Sequence, residues 1–478
     1  MVDIEREHPE YIQRQAMLRA YHDLYVGGQQ LKDHSTEYLS RRQNEPLDVY
    51  SERLERLYYE NHIGSIIDWY AATLFRREPV ITFDGKSEVG RRFLGEFIQD
   101  CDLKGTTVTE FFRSCFIDAL VGGAAHILVD FPKSQDSPAN RAEEEAAGLA
   151  RAYLLRYGAE ELTNWSKDEH GQYEWVVLRR RQRRQPTVDS ATVLEETYWY
   201  YFDKQEFRVY RKVSGREQKV ELISEGRHGM AKLHRVPLFT LRVSEGLWLM
   251  NKSALLQLEH LNKSNALSWA ITMGLFAMPV IYSERAWNQV VGESYYIQLG
   301  SQDRFGWTEP EGRVYQIAAD NLSRLKDEIY RVCYLTQAGG GVSASHPESG
   351  LSKLRDFAIT QEVLRSYGDA VKETLRKVID AISITREDDV IPMVSGMDEF
   401  DIGDFATELA DAQTLLQLGI DSPTLKKQIF QKLAFKYLCD VRQETKDAIA
   451  AEIEAQIARS QQDGGHPDLP ESTWNPDL

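Results

Sequence analysis

The stretch "TQAGGGVSASHPESG", residues 336–350, is the part of this chain that most invites a chemical reading. Gly339, Gly340 and Gly341 stand in a row, followed by Ser343, Ser345 and His346. Consecutive glycines can wrap backbone N–H groups around a phosphate. That cradle, however, needs a preceding strand and a Lys-Ser or Lys-Thr after the last glycine. Here a helical pattern precedes the segment and no such pair follows. A nucleophilic serine on a sharp elbow needs G-x-S-x-G, and "GVSAS" lacks the closing glycine. His346 has no nearby metal partner. What remains is a backbone with almost no steric restriction, so the segment reads as a loop built to move.

Two charged runs are the other candidates. "LRRRQRRQP" carries Arg179, Arg180, Arg181, Arg183 and Arg184. It reads as the end of a strand whose arginines pair with neighbouring Glu and Asp, with a nucleic-acid patch as the rival. "DEFDIGD" gathers Asp398, Glu399, Asp401 and Asp404 without calcium-loop spacing. It reads as an acidic turn before a helix N-terminus, where negative charge is favourable. Cys101, Cys115, Cys333 and Cys439 lie too far apart for a metal or redox motif and read as reduced, buried small hydrophobes. No Ser-His-Asp set, paired catalytic carboxylates, zincin helix or dinucleotide fingerprint can be proposed from spacing. The expectation is a protein without catalytic residues, metal or cofactor.

The bulk numbers narrow the partners. A chain of 478 residues has room for about two to four domains. A net charge of −17 disfavours non-specific grip on nucleic acid, because displacing counterions takes Lys and Arg. It leaves open a local basic patch, or a surface that must let DNA pass unheld. The start, "MVDIEREHPEY", has no apolar run of the secretory type, so the chain is expected to stay where it is made. "ALSWAITMGLFAMPVIY", Ala266 to Tyr282, falls short of a membrane span and reads as a buried helix running into a strand. A membrane-associated oligomer using that stretch is the rival.

These residues need positioning, and the periodicity says by what. Residues 1–44 are polar with helical fragments. Apolar residues at three- and four-residue steps make Asp48–Phe75 an amphipathic helix broken near Asn61 or Gly64. A strand at Pro79–Phe83, helices at Gly90–Cys101 and Val108–Leu120, and the buried strand "GGAAHILVDF" follow. From Tyr153 to Ile223 the chain reads as an antiparallel meander closed by "RVPLFTLRV". Asn251–Phe276 is one long helix with apolar residues on more than one stripe. Residues 278–317 are strand and turn, and a second helix runs from Ala318 to Leu335. Beyond the glycines a helix of about thirty residues is expected to bend at Gly368, since an internal glycine costs about 1 kcal/mol against alanine. A strand, "VIPMVS", and three closing helices come next: Phe405–Leu418, one capped by Asp421 or Ser422, and Arg442–Ala458. The tail after them reads as disordered. The class is α+β.

This order of elements resembles the portal proteins of tailed bacteriophages, in a divergent branch, over about residues 45–460. The resemblance rests on "IIDWYAATLFRREPVITF", "RVPLFTLRV", the long helix, "AADNLSRLKDEIYRVCYL", the Gly/Ser-rich segment and "GIDSPTLKKQI". Phe75-Arg76 stands where that family commonly has a glycine. The likeness implies a portal-like multi-domain subunit: a wing at 1–250, long stem helices at 251–277 and 318–336, and a small α/β clip at 278–317. A tunnel loop at 337–350, a long kinked helix with wing return at 351–400, a helical crown at 401–460 and a flexible tail at 461–478 complete it. It also implies a homo-oligomer, a twelve-fold ring at one capsid vertex of the virion, assembled in the host cytoplasm. Such a ring conducts double-stranded DNA during packaging and ejection. Its partners are the terminase large subunit, the major capsid and scaffolding proteins, and later the head-completion or adaptor proteins, with no membrane. Carried over, the tunnel-loop contacts to DNA fall on Gly339, Gly340, Gly341, Ser343, Ser345, His346, Lys353 and Arg355. Stem contacts fall on Lys263, Arg324 and Lys326, and partner docking on the clip aromatics Trp287, Tyr295, Tyr296, Phe305 and Trp307. The alternative function is a nucleic-acid-processing enzyme or accessory subunit working through Arg179–Arg184.

Overall fold

The computed structural model describes residues 3–462 apart from 77, 133–147, 149–150, 186, 189–192, 215–218, 276–277, 283–301, 303, 309–311, 336–349, 398–404, 418–421 and 438–442. The fold class is α+β, as the periodicity implied. The chain divides into two compact units, Met1–Ala72 with Glu110–Val363, and Thr73–Thr109 with Leu364–Leu478.

The first unit opens with helices α1 (Pro9–Val26), α2 (Gly28–Asp33), α3 (Ser35–Tyr38), α4 (Leu47–Glu55) and α5 (His62–Leu74). The His8 side chain caps α1, accepting from the Glu10 N–H, and Pro9 stands in the first turn. The expected break before α5 falls at residues 56–61. Strand β1 (Val80–Gly85) and helix α6 (Glu88–Gln99) belong to the second unit, and α7 (Val108–Gly122) leads into the sheets of the first.

Those sheets are built from β2 (Ala124–Asp130), β3 (Tyr153–Gly158), β4 (Leu162–Lys167), β5 (Tyr173–Arg184), β6 (Leu194–Asp203), β7 (Glu206–Val213), β8 (Glu221–Arg227) and β9 (Leu238–Arg242). The meander is β4-β5-β6-β7-β8, every pair antiparallel. Two strands, β3 and β9, depart from the expectation. β3 leaves the meander and pairs with β2, which sits between β3 and β9. Burial explains it: six of the seven β2 residues are buried, so β2 needs a neighbour on each edge and cover on both faces. A core of Leu128, Tyr157, Leu162, Val176, Leu178, Phe202, Phe207, Val236 and Leu238 joins the two sheets. On the meander's other face Ile4 packs with Val177 and Trp199, so β5 buries consecutive residues Val176, Val177 and Leu178. The edge strand β8 is exposed throughout and charged by Glu221, Glu225 and Arg227, which discourages further pairing.

Next come helix α8 (Leu249–Leu275), strands β10 (Met278–Tyr282) and β11 (Arg304–Thr308), helix α9 (Gly312–Val332) and helix α10 (Gly350–Arg386). α9 begins at Gly312, ahead of the expected Ala318. "RVYQI" is β-prone by composition, but Tyr315 sets its hydroxyl on the Ala270 carbonyl at 3.1 Å, and contact with α8 overrides propensity.

In the second unit β1 pairs with β12 (Val390–Ser395), and α11 (Phe405–Gln417), α12 (Pro423–Tyr437) and α13 (Gln443–Gln462) close the chain. Ser422 caps α12, its hydroxyl accepting from the Leu425 N–H at 3.3 Å. α10 is helical throughout its 37 residues, Gly368 included. A Cβ at Gly368 would lie 2.2 Å from the Met397 carbonyl oxygen. Another backbone passes against the helix there, and that close approach leaves room only for glycine.

Candidate functional site: a helical hairpin and the base of the glycine-rich segment

α8 and α9 pack side by side as one antiparallel hairpin within the first unit. Cross-links fix the register along its length. Lys252 faces Tyr334, Lys263 Nζ donates to Asn321 Oδ1 at 2.9 Å, and Tyr315 reaches Ala270. The strands continue the same alignment, Met278 opposite Thr308 and Tyr282 opposite Arg304. At about 1.5 Å per residue the 27 residues of α8 extend roughly 40 Å.

A polar stripe holds α8 to the N-terminal segments. Gln257, fully buried, donates to the Glu60 carbonyl at 2.8 Å and accepts from the Ile63 N–H at 3.3 Å. Asn265 brackets residue 58, accepting from the Tyr58 N–H at 2.9 Å and donating to its carbonyl at 2.7 Å. Asn262 donates to the Tyr38 carbonyl at 3.0 Å, and Tyr21 donates to Asn251 Oδ1 at 2.9 Å. The amides of Gln257, Asn262 and Asn265 satisfy backbone groups at the end of α3, in the 56–61 linker and in the first turn of α5. Apolar residues on the remaining faces stay uncovered: Leu255 is 79% exposed, Val314 62% and Ile317 60%.

The glycine-rich segment itself lies outside the described residues, but the chain just ahead of it is tied down. α9 closes in a Schellman motif. The Leu335 N–H bonds the Tyr330 carbonyl at 2.9 Å and the Tyr334 N–H bonds the Arg331 carbonyl at 3.1 Å. Tyr334 takes the left-handed position at φ 60°, where glycine is usual. Its ring explains the choice. The hydroxyl donates to the Gly246 carbonyl at 2.9 Å and meets the Lys252 ammonium. Thr360 of α10 donates to the Tyr334 carbonyl at 2.6 Å, and Tyr70 donates to the neighbouring Cys333 carbonyl at 2.7 Å. The end of α9 is therefore fixed by Tyr70 and by Thr360, ten residues into α10.

Of the residues singled out from sequence, Gly339, Gly340, Gly341, Ser343, Ser345 and His346, and the clip aromatics Trp287, Tyr295 and Tyr296, lie outside the described residues. Phe305 and Trp307 stand in β11, opposite Ile281 and Pro279, and Lys353 and Arg355 in the first turns of α10. Lys263 is exposed and paired with Glu259 at 2.9 Å. Arg324 is exposed on α9, and Lys326 is half-buried beside His62 and His260. The arginine run lies in β5 and is largely occupied. Arg179 pairs with Glu7 and donates to the Tyr11 hydroxyl at 2.7 Å, Arg180 pairs with Glu161, and Arg183 with Glu195. Cys101, Cys115 and Cys333 are buried free thiols, and burial pushes the Cys333 thiol up to about 12. Among the described residues no helix is long and apolar enough to cross a membrane.

One group escaped the sequence reading. Glu60, His62 and His260 bring their side chains together where the end of the 56–61 linker meets α8. Spacing along the chain carries no sign of it, because α8 supplies its member from a distant part of the sequence.

No family model matches the chain, and no curated protein matches it. Among solved structures it is similar to a chain in the neck of an empty gene transfer agent particle computed with C6 symmetry, at 11% identity and a TM-score of 0.40, covering 80% of this chain and 93% of that one. A chain in the virion of a native gene transfer agent particle is similar at 11% identity and a TM-score of 0.37, covering 84% and 96%.

Proposed function

We propose that the chain is the subunit of a portal-type ring in a phage-like particle, a conduit for DNA without catalysis of its own. The observation that carries this reading is the α8–β10–β11–α9 hairpin. Its cross-links hold it to one register, yet large apolar residues on it find no cover among the described residues. Repetition around an axis gives such a hairpin two neighbours, one on each flank. Heterologous contacts of that kind close into a ring when the rotation allows. Leu255, Val314 and Ile317 are the residues proposed to meet the adjacent copies.

In that assembly the glycine-rich segment that follows Tyr334 belongs at the channel. The acidic balance of the chain keeps passing DNA from sticking. The clip proposed at 278–317 docks the packaging ATPase and, later, the head-completion or adaptor proteins. Twelve copies at one capsid vertex is the finer form of the proposal. Negative-stain microscopy and native mass spectrometry of the purified chain test it. Closed rings with a central hole are expected. A homogeneous monomer at high concentration would overturn it.

A further inference from the structure

We propose that Glu60, His62 and His260 form a binding site for a zinc-class divalent cation that clamps the linker ahead of α5 to α8. The ligand atoms of all three lie within 4.8 Å of one another. The His62 Nε2 and His260 Nε2 atoms lie 3.2 and 3.8 Å from the same Glu60 Oε2. Those distances bracket the edge of a tetrahedron whose bonds are about 2.0–2.1 Å, which is roughly 3.3 Å. The two imidazole rings stand nearly perpendicular, at 87°, with centroids 4.7 Å apart, so they approach without stacking.

The polar accounting is incomplete without a cation. His62 Nε2 is buried, and despite its nearness to Glu60 it lacks the alignment of a hydrogen bond. His260 is 2% exposed and presents its Nε2 to the same Glu60 oxygen. Two imidazoles facing one carboxylate oxygen is an arrangement that a cation resolves.

The supporting contacts are those of a built site. Tyr58 donates to Glu60 Oε1 at 2.7 Å, leaving Oε2 for the cluster. The Glu60 carbonyl accepts from the His62 N–H at 3.1 Å and from Gln257 Nε2 at 2.8 Å. Such outer contacts orient ligands and raise affinity. The Glu60 side chain is 38% exposed, which gives an ion a way in and leaves a fourth position for water. Two nitrogens and one oxygen suit zinc, cobalt or nickel, whereas calcium and magnesium prefer all-oxygen sets. Lys326 opposes the ion's charge and limits affinity.

The test uses the full chain after treatment with chelator. Isothermal titration with zinc chloride is expected to give a saturable site at one ion per chain, with no response to magnesium. Cobalt is expected to produce the visible absorption of a four-coordinate centre. His62→Gln and Glu60→Gln alter the two less buried members, and each is expected to weaken zinc binding at least about 100-fold and to abolish the cobalt spectrum. Circular dichroism checks that both variants remain folded. Failure of the unaltered chain to bind zinc, or binding unchanged in both folded variants, would overturn the proposal. The outcome is independent of whether the chain forms rings.

Discussion

His126 shows how a single side chain ties stability to pH. It lies in β2, is 4% exposed, and its Nδ1 stands 3.0 Å from the Thr240 hydroxyl. Burial lowers its pKa to about 3, with Arg242 and Lys167 adding in the same direction. The folded pKa lies below the unfolded value of about 6.5. Its contribution to stability is therefore complete above that pH and is lost as pH falls from about 6.5 toward 3. The melting temperature is expected to drop over that interval, and His126→Gln is expected to flatten the drop. Thermal melts of both proteins between pH 7.5 and 4 check this. The buried pair Arg53–Glu45, bonded at 2.8 and 3.0 Å, gives a second residue-level expectation. Glu45→Ala leaves a guanidinium without its carboxylate and is expected to cost about 3–5 kcal/mol by denaturant titration. Neither His126 nor Glu45 stood out in the sequence, because a burial-dependent role has no local signature. The arginine run did stand out, and its pairing with Glu7, Glu161 and Glu195 follows the reading of a satisfied strand end.

At the scale of elements, the sequence located most helices and strands because their apolar spacing is strong. α7, α8 and the three C-terminal helices start or stop within a few residues of expectation. The departures have physical causes. β3 moved to the smaller sheet because β2 required a partner on both edges. α9 began early because Tyr315 found a carbonyl on α8. Gly368 was legible as unusual, but its meaning depends on a backbone carbonyl that arrives from elsewhere in the chain. Substituting it separates the two explanations. If a bend were the reason, Gly368→Ala would stabilise the helix by about 1 kcal/mol. The clash with the Met397 carbonyl instead predicts destabilisation, read by chemical denaturation. The cap at Tyr334 belongs to this scale too. Tyr334→Phe keeps the ring and loses the hydroxyl contacts to Gly246 and Lys252. Amide exchange at residues 330–335 and 358–362 is expected to accelerate, with a stability cost of about 1–2 kcal/mol. Hydrogen-exchange mass spectrometry measures it.

For the whole molecule, the question is what covers the hairpin. Leu255→Lys and Val314→Lys place charge on residues that are already exposed, so the isolated chain should fold as before. Assembly is the property expected to suffer, seen as a shift from rings to monomers in native mass spectrometry. The periodicity anticipated the two long helices that pair as α8 and α9. It did not anticipate the polar stripe of Gln257, Asn262 and Asn265, whose partners are backbone groups that a sequence does not display. The continuous register from Lys252–Tyr334 to Tyr282–Arg304 has a further meaning. The two limbs behave as the legs of a ladder, each rung assigned to a matched pair of steps. Length can be edited only in tandem. Excising two turns from one leg scrambles every rung below the cut, while excising them from both, beyond Asn265, yields a shorter ladder with its rungs intact. The hairpin is thus a ruler, and the depth to which it reaches is a quantity that insertion and deletion can tune without redesigning either end.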